Sequence, residues 1–325
     1  MKSHEYEFEL KDVLRLLGRP LIPLAVFAAV MHAGAMARVW PPPRPTLDTD
    51  RTILVHQADA SRARQDADVV LVGDSSCLMD VSAKELSKRL GRRVLNLGTF
   101  SYLDLPAHAR LLREFFAANP GRSATVVLLM HPEALRRVGP EEYHVTVLQN
   151  FLHGIDHCSS TSGHGQLVCL LGLEIFRGRM WSRLVPSPLA GAYGRRHGFS
   201  ADLERFMEAA QGSLPDLETG EAKGDANYQL AQTLEGASRE FRAAMPPGAR
   251  LFVGITPAPA GFVRANHPAR SAEMLAKWSG WLRADGALTN LPATLPDGLF
   301  ARTTHLNEAG VRVFTDTLAA SLPLR

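Results

Sequence analysis

Cysteine is scarce in this chain: Cys77, Cys158 and Cys169 are the only three in 325 residues. Three thiols make neither a disulfide framework nor a four-ligand zinc site. An excess of one charge is lacking too. The 36 basic and 33 acidic side chains leave a formal charge of +3, too little to argue for a nucleic-acid-binding surface. Internal repeats and low-complexity stretches are absent, which excludes collagen-like and mostly disordered chains. What the sequence does have is apolar residues, 46% of the total. That supports a sizeable core, in one large α/β domain or two small ones.

The first forty residues hold an unusual share of that apolar content. Leu21 to Val39 carries no acid, and Arg38 near its end is its only charge. The stretch is just long enough to span a bilayer as a helix. Lys2, Lys11, Arg15 and Arg19 precede it, which predicts an inside N-terminus and a body outside the cytoplasm. Leu10, Val13, Leu14 and Leu17 add one face of a short amphipathic helix before it. Two other readings stay open. Ala35-Met36-Ala37 fits a signal-peptide cleavage site, and His32, Pro20 and Pro23 suit a buried helix of a soluble protein. Outside the cytoplasm a Cys158–Cys169 disulfide is chemically allowed, leaving Cys77 free.

Residues 1–39 are therefore read as a cytoplasmic N-terminus and anchor, and 40–64 as a proline-rich linker and lead-in. Residues 65–325 form the body. Within it, short apolar runs alternate with amphipathic stretches. Strands are expected at Asp68–Gly73, Arg93–Leu97, Thr125–Met130 and Arg250–Ile255. Helices are expected at Ser82–Leu90, Pro106–Ala118, Ser271–Arg283 and Glu308–Leu322. This rhythm predicts a three-layer, flavodoxin-like parallel sheet covered on both faces. Residues from about 140 to 245 break the rhythm and read as a helical insertion. Its candidate helices are Glu142–His153, Gln166–Leu184 and Asn227–Ala244.

Three motifs fall at the ends of the predicted elements: Gly73-Asp74-Ser75-Ser76, Asn96-Leu97-Gly98 and His305-Leu306-Asn307-Glu308-Ala309-Gly310. Sites of open α/β sheets form outside the carboxyl ends of strands, where all three motifs can meet. A serine hydroxyl needs a base to become a useful nucleophile, and His305 is the candidate base for Ser75. The negative oxygen formed on attack needs preorganised donors. The backbone N–H groups of Ser75 and Gly98 are the candidates, glycine allowing close approach of the main chain. Asp74 reads as a turn-supporting residue and Asn96 as a structural hydrogen-bonding one.

On these residues the chain resembles the SGNH (GDSL-like) hydrolase superfamily. Gly73-Asp74-Ser75 matches its first block, Gly98 its second, and His305, Leu306, Asn307 and Gly310 its last. The likeness covers about 65–135 and 248–325. It is greatest to the membrane-anchored, extracytoplasmic branch associated with polysaccharide O-acetylation, including alginate acetylation proteins. The resemblance implies acyl transfer on a carbohydrate acceptor, as O-acetyltransferase or esterase, beside a membrane-bound acyl-donor protein. It implies no cofactor and no metal. Two positions depart from the pattern. The acid usual three residues before the histidine is replaced by Arg302. The nearest upstream acid is Asp297, a candidate support if the loop folds back; otherwise the site is a Ser–His dyad or draws its acid from elsewhere in the chain. The asparagine expected after the third strand is replaced by His131, a candidate side-chain oxyanion donor. These departures leave open a second function, a non-catalytic glycan-binding or scaffold subunit of a polysaccharide assembly.

Other residues invite chemistry but have plainer readings. His153, Asp156, His157 and Cys158 have partial metal-ligand spacing, yet Gly154 interrupts the helix they would share, so a solvated helix end is expected. Cys77 reads as a small buried residue. Arg195-Arg196-His197 beside Tyr193 reads as a solvated loop, with an anionic glycan or lipid headgroup as the sharper alternative.

Overall fold

A computed structural model describes residues 9–36, 49–101, 103–121, 124–136, 140–142, 144–145, 148, 201–216 and 224–323. The chain divides into two compact units, one of 1–47 with 158–201 and one of 48–157 with 202–325. His153, Asp156, His157, Cys158, Cys169, Tyr193, Arg195, Arg196 and His197 lie outside the described residues. So do the candidate helix Gln166–Leu184 and most of Glu142–His153.

In the first unit the described element is helix α1, Leu10–Met36, which includes Pro20 and Pro23. Leu21, Ile22, Leu24, Val26, Phe27 and Val30 are each more than half exposed along it. Among the described residues no helix is long and apolar enough to cross a membrane.

The second unit carries a parallel sheet. Its strands are β1 Val69–Gly73, β2 Val94–Asn96, β3 Thr125–Met130, β4 Arg250–Ile255 and β6 Gly286–Ala287, in the order β2-β1-β3-β4-β6. Strands β5, Ala258–Pro259, and β7, Thr294–Leu295, form a separate parallel pair. The order is that of flavodoxin-like sheets, with a switch point between β1 and β3.

The apolar runs explain the three layers. Strand side chains alternate between faces, and here both faces are apolar. Val70, Val72, Val126, Leu128, Leu251 and Val253 join one core with Phe115, Phe241 and Trp278. These aromatics come from α5 Leu105–Ala118, α8 Leu234–Ala243 and α9 His267–Leu282. Val69, Leu71, Val127, Leu129 and Phe252 join the other with Leu86 and Phe314, from α4 Ala83–Leu90 and α10 Glu308–Ser321. Each such side chain contributes about 1.5–3 kcal/mol on burial.

Local signals set the helix boundaries. The Ser82 hydroxyl accepts from the Glu85 N–H and Gly91 ends α4 in the left-handed region at φ 60°. Asp104 caps α5, with Pro106 in its first turn.

Two expectations change. The lead-in contains helix α2, Thr49–Arg62, whose Ile53, Leu54, Val55 and Ala58 are buried. It belongs to the sheet-bearing unit, because its apolar spacing matters more than the prolines before it. The candidate helix Asn227–Ala244 shortens to α8. The chain around its start instead bonds to neighbours, with Ala226 N–H, just before it, donating to Phe262 O and Ala231 N–H to Leu135 O. The remaining described helices are α3 Ser75–Met79, α6 Pro132–Leu135 and α7 Ala201–Ala209.

Candidate active site

The nucleophile position is built by the end of β1. Gly73 has φ 156°, and a Cβ there would overlap the Leu129 carbonyl of β3. Only glycine lets the chain turn this close to its neighbour. Asp74 follows as the N-cap of α3. Its Oδ1 accepts from the Ser76 N–H at 3.0 Å and the Ser76 hydroxyl at 2.6 Å. Its Oδ2 accepts from the His131 N–H at 2.9 Å, across the β1/β3 switch point. Asp74 is fully buried. Burial pushes its carboxyl above the usual range, and the bonds from Ser76 and His131 oppose that rise. The expected turn-supporting role is what this geometry provides. Ser75 is thereby fixed as the first residue of α3, and its own N–H has no protein acceptor among the described residues.

The candidate base comes from the loop before α10. Ala301 and Arg302 N–H groups both donate to the His305 carbonyl, and Phe300 bridges Leu306. Asn307 caps α10 by accepting from Ala309 and Gly310 N–H. A Cβ at Gly310 would overlap the Leu299 carbonyl. The His-Leu-Asn-x-x-Gly pattern is thus a candidate base, a buried anchor, a helix cap and a close-packing residue. His305 Nε2 lies 3.0 Å from Ser75 Oγ.

His305 Nδ1 lies 2.8 Å from Asp216 Oδ2. A carboxylate only accepts, so Nδ1 carries the proton and Nε2 accepts from the Ser75 hydroxyl. Sequence reasoning missed Asp216. Its segment is pinned beside α3. Asn96 N–H donates to Gln211 O, and Leu214 N–H to Leu78 O. Asn96 Nδ2 donates to Ser213 Oγ at 3.1 Å, and Ser213 Oγ to Val81 O at 2.7 Å. Gly212 sits at φ 91°, where a side chain would strike Asn96 O. Nothing in Leu214-Pro215-Asp216 marks that acid locally; only the packing of its segment against Asn96 does.

Asp297, the candidate support, is corrected by this finding. Its Oδ1 accepts from the Gly261 N–H at 2.8 Å, and Asp216 holds the place at His305 Nδ1. Arg302 neither replaces the acid nor leaves the site: its Nε lies 3.2 Å from the same Asp216 oxygen.

Gly98 is also corrected as an oxyanion donor. Its N–H donates to Asn96 Oδ1 at 2.8 Å, so the fold already uses it. The missing side chain serves packing, since a Cβ there would crowd Leu78 N and Cys77 C of α3.

His131 stands differently. Its Nδ1 accepts from the Glu133 N–H at 3.2 Å, which puts the proton of the neutral ring on Nε2. That Nε2 is buried and has no partner among the described residues. Burial first, then the neighbouring His305 and His267, lower its pKa to about 3, so the ring stays neutral and keeps one free donor. Cys77 is fully buried, its Sγ 3.6 Å from Asn96 Oδ1, and burial raises its thiol pKa well above normal. It is no competing nucleophile.

Hydroxyl, imidazole and carboxylate in series form the arrangement that activates a serine for acyl transfer. Comparison with protein-family models, with characterised proteins and with solved structures finds no match to this chain.

Proposed function

We propose that this protein catalyses acyl transfer on carbohydrate through an SGNH-type serine site, as an O-acetyltransferase or acetylesterase. The observation that carries the reading is the continuous chain from Ser75 Oγ through His305 to Asp216. Ser75 Oγ attacks the acyl carbonyl while its proton passes to His305 Nε2. Collapse of the tetrahedral intermediate expels the alcohol, which takes that proton, and leaves an acyl-serine. His305 then deprotonates a second hydroxyl compound, which attacks the acyl-serine and releases Ser75. Water in that role gives an esterase; a sugar hydroxyl gives a transferase. The Ser75 N–H is the donor proposed for the oxyanion, and one such donor is worth about 2.7–4 kcal/mol of barrier at such sites.

The carbohydrate class rests on the resemblance of Gly73-Asp74-Ser75 and His305-Leu306-Asn307 to their counterparts in polysaccharide O-acetylation proteins. Asp216 supplies the acid whose absence at position 302 spoke for a non-catalytic glycan-binding subunit. An extracytoplasmic setting, anchored by the N-terminus beside a membrane-bound acyl donor, completes the proposal. The exposed apolar run on α1 supports it, as do the basic residues before that run.

The test is acetyl-ester hydrolysis by the full chain in detergent, on p-nitrophenyl acetate and on acetylated xylan. Ser75→Ala and His305→Ala are each expected to lower kcat by roughly 10⁴-fold or more. A serine-reactive phosphonate is expected to add its mass to the peptide containing Ser75. Undiminished hydrolysis in both variants rejects the site.

A further inference from the structure

The triad needs Ser75 and His305 held in register, yet they sit 230 residues apart on separate elements. Most bonds within the His305 loop are local. Ala301, Arg302 and Asn307 N–H groups donate within 299–307, and Asn307 Nδ2 donates to Gly298 O. These fix the loop's shape but not its position against α3. Asp80 is placed to do that. It is the C-cap of α3, with its N–H on Ser76 O. Its Oδ1 accepts from the Leu306 N–H at 2.8 Å. One end of a five-residue helix thus carries the nucleophile, and the other grips the amide next to the base.

Resting on the acyl-transfer reading, we propose that Asp80 is a positioning residue, holding His305 in register with Ser75 through its bond to the Leu306 N–H. The surroundings fit an acceptor rather than a charge. Asp80 and Leu306 are fully buried, and Asp80 Oδ2 has no partner among the described residues. Burial, with Asp74 and Asp216 adding to it, raises this carboxyl well above the usual range despite the bond from Leu306. A neutral acid still offers its carbonyl oxygen to an N–H. The role therefore requires an sp² oxygen at this place and no negative charge.

The experiment compares Asp80→Asn, which keeps that oxygen, with Asp80→Leu, which fills similar space without it, both in the full chain. Asp80→Leu is expected to lower kcat on p-nitrophenyl acetate by roughly 10–100-fold with KM unchanged, the scale of a small misplacement of reacting groups. Asp80→Asn is expected to stay within threefold. A second readout needs no turnover: the low-field proton resonance of the His305 Nδ1–H bonded to Asp216. It should weaken or vanish in the Leu variant and persist in the Asn variant. Full kcat and an intact resonance in Asp80→Leu overturn the proposal. So does a loss of more than tenfold in Asp80→Asn, which decides the matter even if the Leu variant fails to fold. If the wild type hydrolyses no ester but the resonance follows this pattern, the positioning role stands and the acyl-transfer reading falls.

Discussion

Ser75 and His305 meet at 3.0 Å from two different kinds of structure. On the nucleophile side everything lies at the carboxyl ends of two neighbouring parallel strands. Gly73 ends β1 in contact with β3, and Asp74 is buried and bonded to Ser76 and His131. On the base side nothing is in the sheet. His305 sits in a loop before the last helix, and its acid sits in a segment between β3 and β4, 89 residues earlier in the chain. The first side is built where two strands touch; the second is an assembly of loops tethered by hydrogen bonds and packed tightly at Gly212 and Gly310. Substitution of the framework residue Gly73 on the first should therefore damage the fold, and substitution of the acid Asp216 on the second mainly the chemistry.

The largest effect that would sharpen this contrast is Gly73→Ala. The added methyl overlaps a carbonyl of the neighbouring strand, at a backbone angle that side chains rarely adopt. We expect a loss of at least about 4 kcal/mol, a large part of the stability of an ordinary domain. Urea denaturation measures it. A variant with an unchanged midpoint would mean that the nucleophile side is no stiffer than the other.

Asp216→Asn should do the opposite. The carboxylate, 8% exposed, bonds His305 and the half-exposed Arg302, and the amide keeps its shape and one oxygen acceptor, so the fold should lose roughly 1–3 kcal/mol, less than with Gly73→Ala. Activity should fall by roughly 10³–10⁴-fold, because an amide can donate to the imidazole and so stabilise the wrong tautomer. Rates on p-nitrophenyl acetate check this. Equal loss of stability and activity would erase the distinction between the two sides.

The same contrast explains what was legible. Strands β1, β3 and β4 were readable because each is a continuous apolar run buried on both faces, so composition alone reveals it. Ser75 and His305 were readable because each is framed by residues with a local duty, Gly73 and Asp74 for one, Asn307 and Gly310 for the other. Asp216 had no such frame. Its place depends on Asn96 bonding to Gln211 and Ser213, which are more than a hundred residues from it in sequence. Gly98 was misread for a related reason. A small residue near a site suits either close approach of a ligand or close packing of a helix, and the sequence does not separate these. Here the neighbour is α3.

The smallest effect tests the acid that proximity in sequence suggested. Asp297 lies eight positions before His305, against 89 for Asp216, and on chain distance alone it should be the partner. Its carboxylate instead accepts from Gly261 N–H, next to the β5 and β7 pair. Asp297→Asn keeps an oxygen acceptor for that N–H and touches no residue of the triad. We expect kcat on p-nitrophenyl acetate to change by less than about twofold, with a stability cost below the roughly 1 kcal/mol of one hydrogen bond, because the exposed bond is kept. A loss comparable to that of Asp216→Asn would move the acid back to the loop of the base. The separation between a sheet-built nucleophile and a base oriented from a distant segment would then fail at its deciding residue.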